Sequence, residues 1–420
     1  MQRGQRTGSR YHLSENAHRF HLYPTTMDEF AAFTHQLNRP TEAKNVEFQR
    51  MGRLKHIINA AQLTPELLQT LCRTADSIRR LAKTRRGNEA LKSLLADKRA
   101  MLYFTQPSTR TFLSFMAACQ ILGLTCNEVR DPKTSSEVKR ESRTDSIRMF
   151  SSYFDIIIMR SQIKDFAESC AYLMNRLEEQ EKRSVPVINA GSGSDEHPTQ
   201  ALLDYYTIER SFDFDQQAED AESRLPELKN EYPDLVSGVG HKTYAFCGDI
   251  GRGRTVRSLA RVLAQFPGVS LFFVSADHED LKLDDELRQK LKRMGVNVQE
   301  FHSLEDDVNG RPLIEQVDCL YMTRIQREHN SKSTEAELQQ LDLEPFRLTL
   351  DRVQRMKKYA PILHPFPRDS VIDEISIEVD NDPRAMYFRQ ARNGMWIRAA
   401  LLVHLFDVAD RLHEADSVAR

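Results

Sequence analysis

Short apolar runs of strand character alternate with amphipathic helical stretches in two separate blocks of this chain. That alternation restricts its folding more than any other feature. In the first block AMLYF precedes STRTFLSFMAACQIL, SYFDIIIMR follows, and VPVINAG leads into HPTQALLDYYTIERS. In the second, TYAFCGDI leads into TVRSLARVLAQF and VSLFFVSAD into DDELRQKLKRMG, with CLYMTR and PILHPFPR after them. A helix between two strands returns the chain to the same sheet edge, so repeated units of this kind build a parallel sheet covered by helices. Upstream, Thr64 caps and Pro65 opens a helix in which Leu67, Leu68, Leu71, Ala75 and Ile78 recur at helical spacing. Between the blocks, residues 211–240 are acidic, carry two prolines and end in glycines, the composition of a linker. The expected fold is α/β, with two domains, each a parallel sheet flanked by helices, and an active site in the cleft between them.

We divide the chain into an N-terminal extension (1–46), a first domain (47–208) completed by a C-terminal helix (384–420), an acidic insertion (209–240) and a second domain (241–383). A length of 420 residues accommodates two such domains. The formal net charge of -2 gives no global field for nucleic acid or anionic membrane, so neither is expected as a partner and any anion site is local. The six cysteines form no CxxC pair, which reads as reduced thiols in a cytoplasmic protein. The longest apolar runs, such as AALLV, are far too short to span a bilayer. The first twenty residues are basic without an apolar core, so they are not a secretory signal; their Arg-rich, acid-poor character faintly resembles a transit peptide, and a flexible tail is the preferred reading.

In parallel sheets ligands bind beyond the carboxyl ends of the strands, so the residues just after each strand carry the functional reading. After AMLYF come Ser108, Thr109, Arg110 and Thr111; after FDIIIM, Arg160; after VPVINA, His197 and Gln200; after YAFCGDI, Arg254; after CLYM, Thr323, Arg324 and Gln326; after PIL, His364, Phe366, Pro367 and Arg368. Taken singly, His197 reads as a structural histidine, and Arg254 and Arg324 as surface charges. Their joint placement is what chance does not readily supply. Hydroxyls and a guanidinium at a helix N-terminus make a phosphate clamp. Gly251-x-Gly253 after a strand imitates a dinucleotide fingerprint, but Val256 replaces its third glycine, so no nucleotide cofactor is expected. No metal-ligand spacing occurs, and no metal is expected. A phosphate clamp, further arginines for carboxylates, and donors for a carbonyl oxygen fit attack of a neutral amine on a carbonyl whose leaving group is phosphate.

The segments PSTRT, HPTQALLDYYTI, GRTVRSLA, YMTRIQRE, HPFPR and RAMYFRQARNGMWIRAALL resemble the aspartate/ornithine carbamoyltransferases, over roughly His56 to Leu405, and among them the catalytic chains that use aspartate. The resemblance implies transfer of the carbamoyl group of carbamoyl phosphate to L-aspartate, in pyrimidine biosynthesis and without a cofactor. It implies that Ser108, Thr109, Arg110 and Thr111 bind the phosphate. Thr109, Arg160 and His197 would meet the carbamoyl oxygen, and Gln200 the carbamoyl nitrogen. Arg254, Arg324 and Gln326 would hold aspartate, and the carbonyls of Phe366 and Pro367 the attacking amine. It further implies a homotrimer in which a loop of the adjacent subunit brings Ser135 and Lys139 into the site. A regulatory or other subunit is left open.

Three departures from the family pattern stand out. STRTF and SFM replace STRTR and SFE, so Phe112 and Met116, four apart on one helix face, form an apolar pair in place of an ion pair. Gln106 stands where a glutamate is usual, which implies weaker coupling of substrate binding to domain closure. Glu137 and Arg140 replace small residues in the loop of Ser135 and Lys139. The ornithine-type Ser-Met-Gly loop is absent and His364-Pro365 lacks the ornithine-type cysteine, so aspartate is the expected acceptor. The alternatives are transfer to another amine, or a non-catalytic structural or regulatory relative.

Overall fold

The computed structural model describes residues 31–131, 141–192, 196–214, 225–325, 341–369 and 372–419. A first sheet contains β1 (Arg99–Phe104), β2 (Thr125–Val129), β3 (Ile156–Ser161) and β4 (Val187–Ser192), parallel throughout in the order β2-β1-β3-β4. Its helices are α1 (Pro65–Leu81), α2 (Thr109–Ile121), α3 (Arg143–Tyr153), α4 (Phe166–Glu181) and α5 (Pro198–Phe212). A second sheet contains β5 (Thr243–Cys247), β6 (Ser270–Val274), β7 (Asn297–Phe301), β8 (Cys319–Met322) and β9 (Ile362–Leu363), also parallel, in the order β9-β8-β5-β6-β7. With it go α6 (Arg254–Leu263) and α7 (Asp285–Arg293). This is the expected α/β architecture. Strands β1, β3 and β4 are buried on both faces, which is why they read as continuous apolar runs.

Two strands escape the sequence pattern. TCNEV (β2) and NVQEF (β7) are sheet edges and largely exposed, so nothing selects apolar residues there. The SYFDIIIMR run begins as helix: Tyr153 ends α3, and β3 starts only at Ile156. The closing helix is two helices, α8 (Tyr387–Leu405) and α9 (Ala409–Ala419), parted at Asp407, whose φ of 57° lies in the left-handed region. Helix α8 packs on α1, α2 and α5. In the described part of the extension, Phe33 is buried and stacked on Tyr172 of α4, and Lys44 pairs with Glu168 at 2.9 Å, so this part is docked rather than a free tail. The acidic stretch is pinned on either side of residues 215–224, which lie outside the described residues. Phe214 packs edge-on to Tyr359 at 6.3 Å and Tyr232 does so at 5.0 Å.

Candidate active site

The carboxyl ends of both sheets face one cleft of about 800 Å³. Its walls include Ser108, Thr109, Arg110, Thr111, Arg160, His197, Gln200, Arg254, Arg324, Phe366 and Pro367. Eleven of the fourteen site residues expected from the sequence therefore meet there. Gln326, Ser135 and Lys139 lie outside the described residues. Arg368 does not join the lining: it forks onto Asp380 at 2.6 and 3.0 Å and lies over the rings of Tyr387 and Phe388.

Helix α2 enters the cleft through Ser108, whose backbone is extended and whose side chain caps nothing. No acidic residue occupies its first turn, so its leading N–H groups and the positive end of its dipole are presented without a competing anion. Arg110 extends from this turn across the cleft, 5.5 Å from the ring centre of Phe366. Burial and then Arg324, which lines the same cleft from the second domain, lower its pKa.

Arg160 leaves the end of β3 and is almost wholly buried. Its Nη1 donates to the Ala190 carbonyl at 3.1 Å, while its Nε has no hydrogen-bond partner among the described residues. Gly191 makes this path possible. With φ at +115°, a Cβ there would sit 2.6 Å from Arg160 Nη1. Burial, Arg254, Arg398 and Arg110 together bring the Arg160 pKa down to about 9. His197 precedes α5 and is 3 % exposed. Burial first, then Arg160, Arg254 and Arg398, hold its imidazole well below the usual histidine range, so it is neutral at physiological pH. Thr199 Oγ1 lies 3.5 Å from its Nδ1. Its backbone N–H donates to Ser258 Oγ of α6 at 3.2 Å, joining the two domains.

Gln200 donates from Nε2 to Asp204 Oδ1 at 2.8 Å, which leaves its Oε1 as the acceptor on the cleft side. Gln106 also lines the cleft, with its Oε1 buried and unpartnered among the described residues. Asp249 is the only carboxylate in the described lining, and it is paired with Arg252 at 2.7 Å. The glycine pair of the GRGRT loop is explained by packing: a Cβ on Gly251 would meet the Asp280 carbonyl at 2.4 Å. The site is thus a cluster of guanidiniums with almost no opposing negative charge, suited to a ligand carrying several anionic groups.

The carbamoyl-phosphate-binding domain model of aspartate/ornithine carbamoyltransferases matches residues 55–210, and the Asp/Orn-binding domain model matches residues 241–405. This chain belongs to the aspartate/ornithine carbamoyltransferase family. A chloroplastic aspartate carbamoyltransferase of Arabidopsis thaliana is 37% identical over 352 residues, covering 83% of this chain and 77% of that one. The aspartate carbamoyltransferase catalytic subunit of Chromobacterium violaceum is 37% identical over 348 residues, covering 83% and 96%. Among solved structures, the aspartate transcarbamoylase of Trypanosoma cruzi in complex with carbamoyl phosphate and aspartate is similar with a TM-score of 0.68. It is 30% identical and the match covers 83% of this chain and 95% of that one.

The carbamoyltransferase cleft has further wall residues that reasoning from strand ends did not reach. Arg398 of α8 lines it and is 2 % exposed, 4.7 Å over the Phe115 ring, with Nε and Nη2 unpartnered among the described residues. Burial brings its pKa to about 9, partly offset by Asp204. Gln390 of the same helix also lines the wall. Only α8 brings these residues in, and it comes from the far end of the chain. Asp204 did leave a signal: it stands four residues after Gln200, on the same helix face.

Proposed function

We propose that this protein transfers the carbamoyl group of carbamoyl phosphate to the amine of L-aspartate, giving N-carbamoyl-L-aspartate and phosphate, as a step of pyrimidine biosynthesis. The observation that carries the reading is the meeting of Arg110, Arg160 and His197 from the first domain with Arg254 and Arg324 from the second on one cleft. In this reading the open turn of α2, with Ser108, Thr109, Arg110 and Thr111, binds the phosphate. Thr109, Arg160 and neutral His197 donate to the carbamoyl oxygen as negative charge develops on it. The Gln200 carbonyl accepts from the carbamoyl nitrogen. Arg254 and Arg324, with Gln326, hold the two carboxylates, for which guanidiniums suit better than ammonium groups. The carbonyls of Phe366 and Pro367 orient the amine. The amine nitrogen bonds to the carbamoyl carbon, the carbon–oxygen bond to phosphate breaks, and the departing phosphate takes the amine proton.

The 47–208 and 241–383 division assigns carbamoyl phosphate to the first domain and aspartate to the second. A homotrimer completes the site in this reading, with Ser135 and Lys139 supplied by the neighbouring subunit. The six cysteines are free thiols, which suits the reducing cytoplasm. No helix among the described residues is long and apolar enough to cross a membrane. Incubation with carbamoyl phosphate and a panel of amines tests the reading. Ureido product with L-aspartate is the expected result. Product only with another amine would discard the acceptor half, and folded protein that makes none would discard the reaction.

A further inference from the structure

Asp204 is a fully buried carboxylate that takes no part in the chemistry above. Three donors from three elements converge on it. The Gln200 Nε2 of α5 and the Gln390 Nε2 of α8 reach Oδ1 at 2.8 and 2.6 Å, and the Tyr321 hydroxyl of β8 reaches Oδ2 at 2.8 Å. A carboxylate only accepts, so it fixes which end of each amide faces it. Gln200 must turn its NH₂ inward and its carbonyl to the cleft. Gln390 must do the same, and its Oε1 then accepts the His364 backbone N–H at 2.8 Å. The His364 Nδ1 in turn accepts the Phe366 N–H at 2.8 Å and holds that residue at a φ of 55°. One buried chain of hydrogen bonds therefore runs from Gln200 through Asp204, Gln390 and His364 to Phe366.

We propose that Asp204 is a positioning residue for both substrates, setting the Gln200 carbonyl toward the carbamoyl nitrogen and, through Gln390 and His364, the Phe366–Pro367 carbonyls toward the attacking amine. This rests on the function proposed above. A neutral Asp204 would carry a donor into this set, so either the Tyr321 hydroxyl reverses to accept or an amide turns round, and in both cases Gln200 and Gln390 lose the charged acceptor that holds them. The charged and titratable groups facing it are Arg398 on α8 and Tyr321 and Cys319 on β8. Burial pushes its pKa up to about 7, with the three donors and Arg398 pulling it back. The ionised form is the ordering one, so binding and rate fall as pH falls through about 7. Stability moves the other way: a carboxyl raised in the folded state favours folding at low pH, and that contribution is lost as pH rises through the same value.

The test measures carbamoyl phosphate affinity by calorimetry and kcat/KM for aspartate against pH, in the parent, Asp204→Asn and Gln390→Met. The expected parent shows an acid limb near pH 7 in carbamoyl phosphate affinity, and in kcat/KM the same limb on top of the steady rise with pH that comes from deprotonation of the aspartate amine. Asp204→Asn should lose about tenfold or more in each at mildly alkaline pH and lose the limb, the scale typical of residues that orient a ligand's partners. Gln390→Met should keep carbamoyl phosphate affinity within about threefold while kcat/KM for aspartate falls about tenfold. A parent whose carbamoyl phosphate affinity is flat across this range overturns the proposal, whether or not the variants fold. So do folded variants with parental values, or variants that lose thermal stability alone. Carbamoyl phosphate binding with the expected pH limb but no ureido product would instead sink the proposed reaction and leave the Gln200 half of this inference standing.

Discussion

Arg160 departs from β3 beside a glycine that could not carry a side chain, and it reaches the cleft with its Nε unpartnered among the described residues. Burying a cation among Arg254, Arg398 and Arg110 is costly, which the fall of its pKa to about 9 records. In the proposed reaction this cost is offset by negative charge that develops on the carbamoyl oxygen, not by the fold itself. Arg160→Ala is expected to lower kcat by about 10²–10³, the loss typical of removing one oxyanion donor. Steady-state kinetics checks this, with circular dichroism to verify that the variant is folded; a loss under about tenfold would show that Arg160 is not a principal donor. His197 behaves differently. Its imidazole is already neutral at physiological pH, so its protonation does not account for an acid limb near 7. Arg160 and His197 were legible because each follows a strand. Arg398 was not, because a mid-helix arginine looks like any snorkelling surface charge until its surroundings are known.

At the scale of elements, α2 shows how local sequence serves both packing and chemistry. Its first turn is polar and uncapped, and its next residue, Phe112, is buried edge-on to Phe104 at 5.4 Å beneath the Arg130 guanidinium at 4.6 Å. The ring seats the start of the helix on the end of β1 and so fixes where its first turn stands in the cleft. Phe112→Ala is expected to destabilise the protein by about 3–5 kcal/mol, read from the chemical-denaturation midpoint and slope. Weaker carbamoyl phosphate binding should accompany it. A loss below about 1 kcal/mol would mean that the helix is seated by other contacts. The exposed edge strands β2 and β7 and the break at Asp407 were not legible, since period-two alternation needs one buried face and a left-handed aspartate leaves little trace in composition.

For the whole molecule, two sheets with their carboxyl ends toward one cleft need something to join them. Helix α8 does so by packing on α1, α2 and α5 while Gln390 reaches back to the His364 backbone. Tyr321 to Asp204, and the ion pair of Arg261 with Glu196, add direct links between the domains. The proposed borrowed loop predicts a property of the assembly rather than of one chain. Mixing Arg110→Ala protein with Lys139→Ala protein should restore part of the activity, because a site with neither lesion can form between unlike subunits. Mass spectrometry of the mixed assembly verifies exchange, and exchange without recovery would rule out a shared site.

The sequence by itself determined the α/β class and the two-block order, because buried parallel strands demand continuous apolar runs and the helices covering them demand a helical period. It also placed Ser108 to Thr111, Arg160, His197, Gln200, Arg254 and Arg324 at strand ends, which is a local relation. Only the tertiary structure decided which way the Gln200 amide faces, that Asp204 is its partner, and that α8 supplies Gln390 and Arg398. Those are contacts between segments far apart in the chain. Their partners are chosen by packing and by the need to satisfy every buried polar group, and neither leaves a periodic mark on the sequence.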